Sequence, residues 1–222
     1  MSQSKSSFPR RRSGTALAAA VLAAALAGCG GSGPSATAGG GPRTSAPAPA
    51  GGTSHSPAAQ APVPAENNPP GDIPDTTVYV TYHSPAGHFQ LKVPEGWSRK
   101  SASASSTFTG NLNSITMAWM PMASAPTVSS ARATTVSALR ASTRAFRLKT
   151  VRSVSLAGGP AVELIYQVNS APNPVTGRQY RLVIERFEFY RKGHGAVLSL
   201  SSAVGSDNVD PWRIVSQSFR WR

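Results

Sequence analysis

A long segment that is almost free of large apolar side chains divides this chain and limits where it can fold. Residues 30–75 hold ten of the 19 prolines and nine of the 20 glycines, mixed with Ala, Ser and Thr. Such a composition cannot bury enough apolar surface to offset the entropy of folding. We therefore expect residues 29–75 to be a disordered linker and residues 76–222 to form one globular domain.

The N-terminus has the three zones of a secretory signal peptide. A basic head with Lys5 and Arg10–Arg12 precedes an apolar stretch from Thr15 to Ala27. This stretch is shorter than the roughly 20 residues that a helix needs to span a membrane. Residues 1–28 are therefore expected to be removed after export. The three arginines are compatible with twin-arginine export, but the residues after them favour ordinary secretion.

The end of the signal contains the only cysteine of the chain. Leu26-Ala27-Gly28-Cys29 resembles the lipobox of bacterial lipoproteins, in which a peptidase cleaves before a cysteine that carries diacylglycerol. The resemblance implies an extracytoplasmic protein that Cys29 holds on the outer face of the cell membrane, because two or three long acyl chains anchor firmly. The alternative is an ordinary signal peptide with an incidental cysteine near its cleavage site.

Alternating apolar residues predict several half-buried strands in residues 76–222. The alternation is clearest in four groups: Val78, Val80 and Tyr82; Phe89, Leu91 and Val93; Ile115, Met117 and Trp119; Val162, Leu164, Tyr166 and Val168. Turn-forming residues at 173–177 and 192–195 flank a long strand, residues 179–191, which predicts three consecutive antiparallel strands.

The apolar side of the long strand changes along its length. Leu182 and Ile184 place it on even positions, whereas Phe187 and Phe189 place it on odd positions. Either a bulge near Glu185 or covering layers on both faces of the sheet would reconcile the two halves.

Two segments have apolar residues at helical spacing. The first runs from Thr127 to Phe146, and the second from Asp210 to Ser218, with Asp210 as its N-cap and Pro211 at the first helical position. Strands, a helix, four strands and a final helix predict an α+β fold in which helices pack on an antiparallel sheet.

Motifs along the domain resemble those of the PsbP-like family. They are the strand and turn Phe89–Trp97, the turn Ala157–Ala161 before a strand, the strand Arg181–Arg191, and the closing segment Asp210–Trp221. The signal, linker and domain together are similar to actinobacterial lipoproteins of the LpqN type. This resemblance implies an α/β/α sandwich around an antiparallel sheet and a role in binding or assembly. No catalytic motif is carried over.

Few residues of the domain have a pattern that suggests catalysis or metal binding. His83 and His88 flank a predicted hairpin turn, but two imidazoles without a carboxylate make a poor metal site. Glu185 and Glu188 are three apart on a strand and should face opposite sides, where each would neutralise nearby arginines. We therefore predict no catalytic residue, no cofactor and no metal.

Positive charge is concentrated between Glu95 and Glu163, a stretch that contains no acidic residue. Within the predicted first helix and just after it lie Arg132, Arg140, Arg144 and Arg147. The last three have the spacing of one helix face, which would contact anionic envelope polymer, lipid headgroups or an envelope protein. The plainer interpretation is a solvated basic helix face. We expect no nucleic-acid partner, because the predicted compartment is extracytoplasmic and basic-aromatic interleaving of the RNP type is absent.

The sequence leaves three functions open. The leading hypothesis is a membrane-anchored envelope lipoprotein whose domain is a non-enzymatic binding or assembly module. The first alternative is a carrier that holds a lipid or other apolar ligand between sheet and helices. The second is an envelope hydrolase, which would need His83 or His88 to lie beside a serine and a carboxylate.

Overall fold

The computed structural model describes residues 57–67 and 69–222. The predicted signal peptide, the lipobox Leu26-Ala27-Gly28, Cys29 and the first part of the linker lie outside the described residues. Among the described helices, none is both long and apolar enough to cross a membrane.

In the described part of the chain, ten strands and four helical pieces follow a short 3-10 turn, Pro57–Ala59. The strands are β1 (Tyr79–His83), β2 (Phe89–Pro94), β3 (Ser98–Ala102), β4 (Ser105–Gly110), β5 (Asn113–Pro121), β6 (Arg147–Leu156), β7 (Gly159–Asn169), β8 (Arg181–Arg191), β9 (His194–Ala203) and β10 (Arg220–Trp221). The helical pieces are α1 (Val128–Ser130), a π-helical turn (Ala131–Thr135), α2 (Val136–Ser142) and α3 (Val209–Ser218). The first three are continuous and are called the helical segment below.

The strands form two antiparallel sheets. The smaller sheet has the order β1-β2-β10, and the larger has the order β3-β4-β5-β9-β8-β7-β6. The predicted run of consecutive antiparallel strands is confirmed in β7, β8 and β9. The sequence indicated one sheet because side-chain alternation predicts strands but does not specify which strands pair, and β1, β2 and β10 pair apart from the others.

The long strand β8 needs no bulge. Its pairing with β7 and with β9 continues from Leu182 to Phe189 without a shift of register. The two apolar sides therefore face two different covering layers, as the second alternative required. Leu182 and Ile184 pack against the core beneath the helical segment, whereas Phe187 and Phe189 belong to the core on the opposite face.

The smaller sheet and α3 cover one face of the large sheet. This core is rich in aromatic residues, and Phe189 and Phe219 stack with ring centroids 4.1 Å apart. Gly158 lets the β6–β7 hairpin approach this cluster, because a Cβ at that position would lie 2.3 Å from the Phe219 ring. The main buried members are Phe89, Leu91, Val93, Phe108, Ile115, Met117, Phe187, Phe189, Leu198, Leu200, Trp212, Val215 and Phe219.

The helical segment covers the other face. Ala131 and Val136 of that segment are buried against side chains of β6 and β7, namely Val151, Val162, Leu164, Tyr166 and Val168. Helical elements on both faces of an antiparallel sheet confirm the α+β prediction. The Thr127 side chain caps the segment, as its predicted start implies.

The end of the helical segment differs from the prediction. Helix α2 ends at Ser142 and not at Phe146, and β6 begins at Arg147. The C-cap Thr143 is extended, with φ −106° and ψ 146°, and Ala145 after it has a φ of 49°, so the helix does not continue. Arg144 therefore lies in a turn, and Arg147 lies in a strand.

Helix α3 also begins differently. Its N-cap is Asn208 rather than Asp210, and Pro211 is its third residue. The Asn208 side chain makes no capping hydrogen bond. It instead accepts a hydrogen bond from the Ile73 N–H at 2.8 Å and donates one to the Gly71 carbonyl at 2.9 Å.

The predicted disorder of residues 29–75 is wrong for the described part of that linker. Ile73 is buried, and the Gly71 carbonyl also accepts a hydrogen bond from the Asn113 side chain at 2.6 Å. Asn169 likewise accepts one from the Val63 N–H at 3.1 Å. Composition missed this order because buried asparagines of the domain satisfy the backbone groups of a segment that has little apolar surface of its own.

Candidate anion-binding surfaces

The four predicted contact arginines do not share one helix face. Arg132 lies in the π-helical turn and Arg140 in α2, and both are exposed. Arg144 is half-buried in the turn after α2, while Arg147 is exposed at the start of β6. The predicted common face of Arg140, Arg144 and Arg147 is therefore wrong, because the helix ends before the last two.

The surroundings of Arg140 and Arg147 differ. The Arg140 guanidinium lies 6.0 Å from the ring centroid of Phe146, within the range of a cation–π contact. Arg147 stands on β6, an edge strand of the large sheet, where a cation also discourages pairing with another strand. Burial lowers the pKa of the neighbouring Arg181, and the charge of Arg147 lowers it further.

Some arginines of the described domain pair with a carboxylate and others do not. Within residues 57–67 and 69–222 there are four pairs: Arg152–Glu163, Arg178–Glu66, Arg186–Glu188 and Arg213–Asp210. None of these described pairs includes Arg132, Arg140, Arg144 or Arg147. Arg132 and Arg140 therefore present positive charge that no described carboxylate neutralises, on a segment whose opposite side is buried.

A second cationic surface surrounds a pocket of about 260 Å³ at one end of the smaller sheet. The loop before β2 contributes His88, and the hairpin between β8 and β9 contributes basic residues from the other side. The His88 and His194 rings are 6.4 Å apart. The lining residues include no Asp or Glu side chain and are Gly87, His88, Arg191, Lys192, His194, Trp221 and Arg222. We call this the His88 pocket.

The sequence did not predict the His88 pocket. His83 and His88 flank one predicted turn in the sequence, but the aromatic neighbour of His88 is His194 of the β8–β9 hairpin. A local signal was present, since Arg191-Lys192-Gly193-His194 places three basic or titratable residues around a two-residue turn.

His83 lies in β1 beside another pocket, of about 200 Å³, which is lined by several serines and by Tyr82. The Tyr82 and Ser106 hydroxyls are 2.8 Å apart. No Asp or Glu lines either histidine pocket. Neither of these two pockets therefore brings together the histidine, serine and carboxylate that a hydrolase needs. No group of three metal-ligating side chains occurs in that part of the chain.

The carboxylates of β8 face opposite sides, as predicted. Glu188 accepts a hydrogen bond from the Thr135 hydroxyl at 3.0 Å and pairs with Arg186 at 2.9 Å. Glu185 instead lies near Glu163 of β7. Burial raises the pKa of the Glu185 carboxyl, the charge of Glu163 raises it further, and Arg152 acts in the opposite direction. This second carboxylate pair was missed because its members are 22 positions apart along the chain.

The space between the two sheets is filled by side chains. Phe89, Phe189 and Phe219 are each no more than 1% exposed there. A groove of about 470 Å³ beside α3 is lined largely by polar side chains such as Gln90, Lys92 and Gln217. This arrangement gives the apolar-ligand alternative little support.

No family model and no curated protein matches the sequence. Solved structures to which the chain is similar include the cyanobacterial PsbP protein (CyanoP) of Synechocystis sp. PCC 6803. The identity is 15% over 68% of this chain and 98% of that one, with a TM-score of 0.47. They also include LpqN of Mycobacterium tuberculosis, described as involved in cell envelope biogenesis, with 12% identity over 66% and 91% of the two chains and a TM-score of 0.42.

A third similar structure is the Ran-binding protein Mog1p of Saccharomyces cerevisiae. It is 9% identical over 66% of this chain and 96% of that one, with a TM-score of 0.47. Two of the three bear names that the sequence resemblance suggested. At these identities and TM-scores the likenesses say nothing of what this chain binds, and membership of the PsbP-like family stays a prediction.

Proposed function

We propose that this protein is a cell-envelope lipoprotein whose domain is a non-enzymatic module that binds an anionic polymer of the envelope. The observation that carries the proposal is the exposed charge of Arg132 and Arg140, which belongs to no described ion pair. The helical segment displays both arginines on a surface, and the aliphatic and aromatic groups beneath them hold that surface in place.

The spacing of the two arginines suits a repeating anionic partner. They are eight positions apart in the helical segment, or about 12 Å at the rise of an α-helix. Arg144 and Arg147 continue the positive charge beyond the helix end. A polymer with a charge on each repeat would contact several of these groups at once, and each contact near an anionic surface contributes about 1 kcal/mol.

The anchor in this proposal is Cys29. Lipid on its sulfur and on the freed amino group would hold the chain at the outer face of the membrane. Residues 30–56 would then be the tether, and their length as polyproline II would be at most on the order of 80 Å. Such a tether would place the domain among wall polymers rather than on the lipid surface.

The anchor is tested by Cys29→Ala. The substituted protein should move from the membrane fraction to the medium, as seen by immunoblot of fractionated cells. Unchanged fractionation would reject lipidation at Cys29. The same variant supplies chain without lipid for binding measurements, so that retention reports the domain alone.

The binding surface is tested by Arg132→Glu with Arg140→Glu in the Cys29→Ala chain. Retention on isolated cell walls should weaken at least about tenfold at moderate salt, because two favourable contacts become repulsive. The matched control is Arg99→Glu with Lys100→Glu, which changes the net charge equally on the exposed strand β3. Equal losses in both variants would show that only net charge matters, and would reject the surface.

A further inference from the structure

We propose that the His88 pocket binds the phosphate group of a small phosphate ester such as a glycerol or sugar phosphate. This site is separate from the Arg132 and Arg140 surface and stands if that surface fails. Its lining comes from four parts of the chain: the β1–β2 loop, the end of β8, the β8–β9 hairpin and the residues around β10.

The charge of the pocket favours an anionic phosphate group. Arg191 and Lys192 bring positive charge to one volume, and the Arg222 guanidinium and the two imidazoles add hydrogen-bond donors. No Asp or Glu side chain belongs to the lining. Arginine and lysine recognise phosphate by different means, the first with a planar pair of donors and the second as a point charge. The several oxygens of a phosphate can bind an arginine and a lysine at the same time, whereas a carboxylate has only two oxygens to share between them.

The conformation of the hairpin supports a role for Lys192. Arg191 and His194 are paired across a two-residue loop in which Lys192 has a φ of 49° and Gly193 a φ of 85°. Loops with positive φ at both positions favour Asn-Gly or Asp-Gly. Lysine at the first position is a costly choice for the turn alone. Lys192 lines the pocket, and binding of an anion by its ammonium group would be a reason for that choice.

The opposite wall is held in a similar way. His88 also has a positive φ, 52°, and its carbonyl accepts a hydrogen bond from the Arg222 N–H at 2.7 Å. This bond fixes the β1–β2 loop to the end of β10. Backbone conformations of this kind persist where the surrounding structure determines them, and they cluster at binding sites.

Trp221 makes the pocket suitable for more than a free phosphate ion. Its ring packs edge-on against Phe89 and Phe219, with centroid distances of 6.3 and 5.4 Å. The ring is half-buried and forms an apolar wall beside the cations. A volume of about 260 Å³ lies below the range for drug-sized ligands. A phosphate with a glycerol or one sugar unit against the indole fits this combination.

The experiment is calorimetric titration of the full chain carrying Cys29→Ala with glycerol 3-phosphate, inorganic phosphate and glycerol as separate probes. Saturable binding of glycerol 3-phosphate is expected, weaker binding of phosphate, and none of glycerol. Vesicles with and without phosphatidylglycerol form a further arm. Binding to phosphatidylglycerol vesicles that is lost in the pocket variant below identifies a lipid headgroup as the source of the phosphate ester. Absence of binding to every phosphate probe at millimolar concentration would overturn the proposal.

The decisive variant is Lys192→Asn. Because Asn-Gly suits this turn, the substitution should leave the melting temperature equal or higher while weakening glycerol 3-phosphate binding at least fivefold. A lysine with only a structural role would give unchanged binding, which would contradict the proposal. Lys100→Asn on β3 is the matched control and should leave binding unchanged, and so should Arg132→Glu with Arg140→Glu. Equal weakening by Lys100→Asn would indicate nonspecific charge attraction and reject the pocket.

Discussion

The two faces of the large sheet are covered by different kinds of contact. On one face, the smaller sheet and α3 bury a stacked aromatic cluster that includes Phe89, Phe189 and Phe219. On the other, the helical segment contributes Ala131 and Val136 as buried residues and adds the polar link between Thr135 and Glu188. Burial of apolar side chains thus stabilises the packing of the smaller sheet and α3. The packing of the helical segment depends on fewer apolar side chains and on its hydrogen bond to the buried Glu188 carboxylate. The segment that displays Arg132 and Arg140 is the less strongly held of the two.

The largest expected effect is on the aromatic face. Phe189→Ala should lower the free energy of unfolding by about 3–5 kcal/mol, because it removes a fully buried ring and leaves a cavity against Phe219. Val136→Ala on the helical segment should cost only about 2 kcal/mol, since two methyl groups are lost. Urea denaturation of both variants measures the difference. Equal losses would show that the two covers contribute alike.

The second prediction concerns the polar link of the helical segment. Glu188→Gln should destabilise the chain by about 1–2 kcal/mol, because it leaves the half-buried Arg186 without its carboxylate. Hydrogen exchange should quicken in residues 128–142 more than in α3. Asp210→Asn is the control, as it removes one carboxylate of an exposed ion pair and should cost less than about 0.5 kcal/mol. Slower or unchanged exchange in the segment would contradict its dependence on Glu188.

The smallest effect is expected at Glu185, on the aromatic side of the sheet. Folding raises its pKa, so the folded chain protonates it first as the pH falls. The associated stability is complete below the ordinary pKa of Glu and is lost as the pH rises through the folded-state value. Glu185→Gln should therefore raise the melting temperature at pH 7 by on the order of 2 °C.

That gain should shrink as the pH falls through the raised pKa of Glu185, because the native side chain then becomes neutral as well. Glu95→Gln, at an exposed position, should show no comparable change. Thermal melts across this pH range provide the comparison. A lower melting temperature for Glu185→Gln at pH 7 would mean that attraction to Arg152 outweighs burial and the repulsion from Glu163.

Local periodicity was enough to predict most elements that carry one apolar side. Strands β2, β5 and β7 and both helical regions follow from it. Strands β3 and β4 were missed because their side chains are mostly polar and show no clear apolar alternation. They form strands because their backbones pair with each other and, for β4, with β5. The end of α2 was misplaced because arginine spacing continues past Ser142, whereas the backbone becomes extended at Thr143.

The candidate sites were less predictable than the fold. Arg132 and Arg140 were named from the sequence, and the structure keeps them exposed. The His88 pocket was not named, because its two histidines are more than 100 positions apart and meet only when β2 and the β8–β9 hairpin lie side by side. Sequence spacing predicts which side chains lie together within one helix or strand, but not which residues of different elements come into contact.

The sequence by itself determined the α+β class and the two faces of β8, because side-chain alternation is a local property of the backbone. It is also the whole basis for the predicted export signal and for lipid on Cys29. Only the tertiary structure decided that both faces of β8 are covered, that buried asparagines bind the backbone of Ala61, Val63, Gly71 and Ile73, and that cations converge beside Trp221. These features depend on strand order and on contacts between remote segments, which local side-chain patterns do not specify.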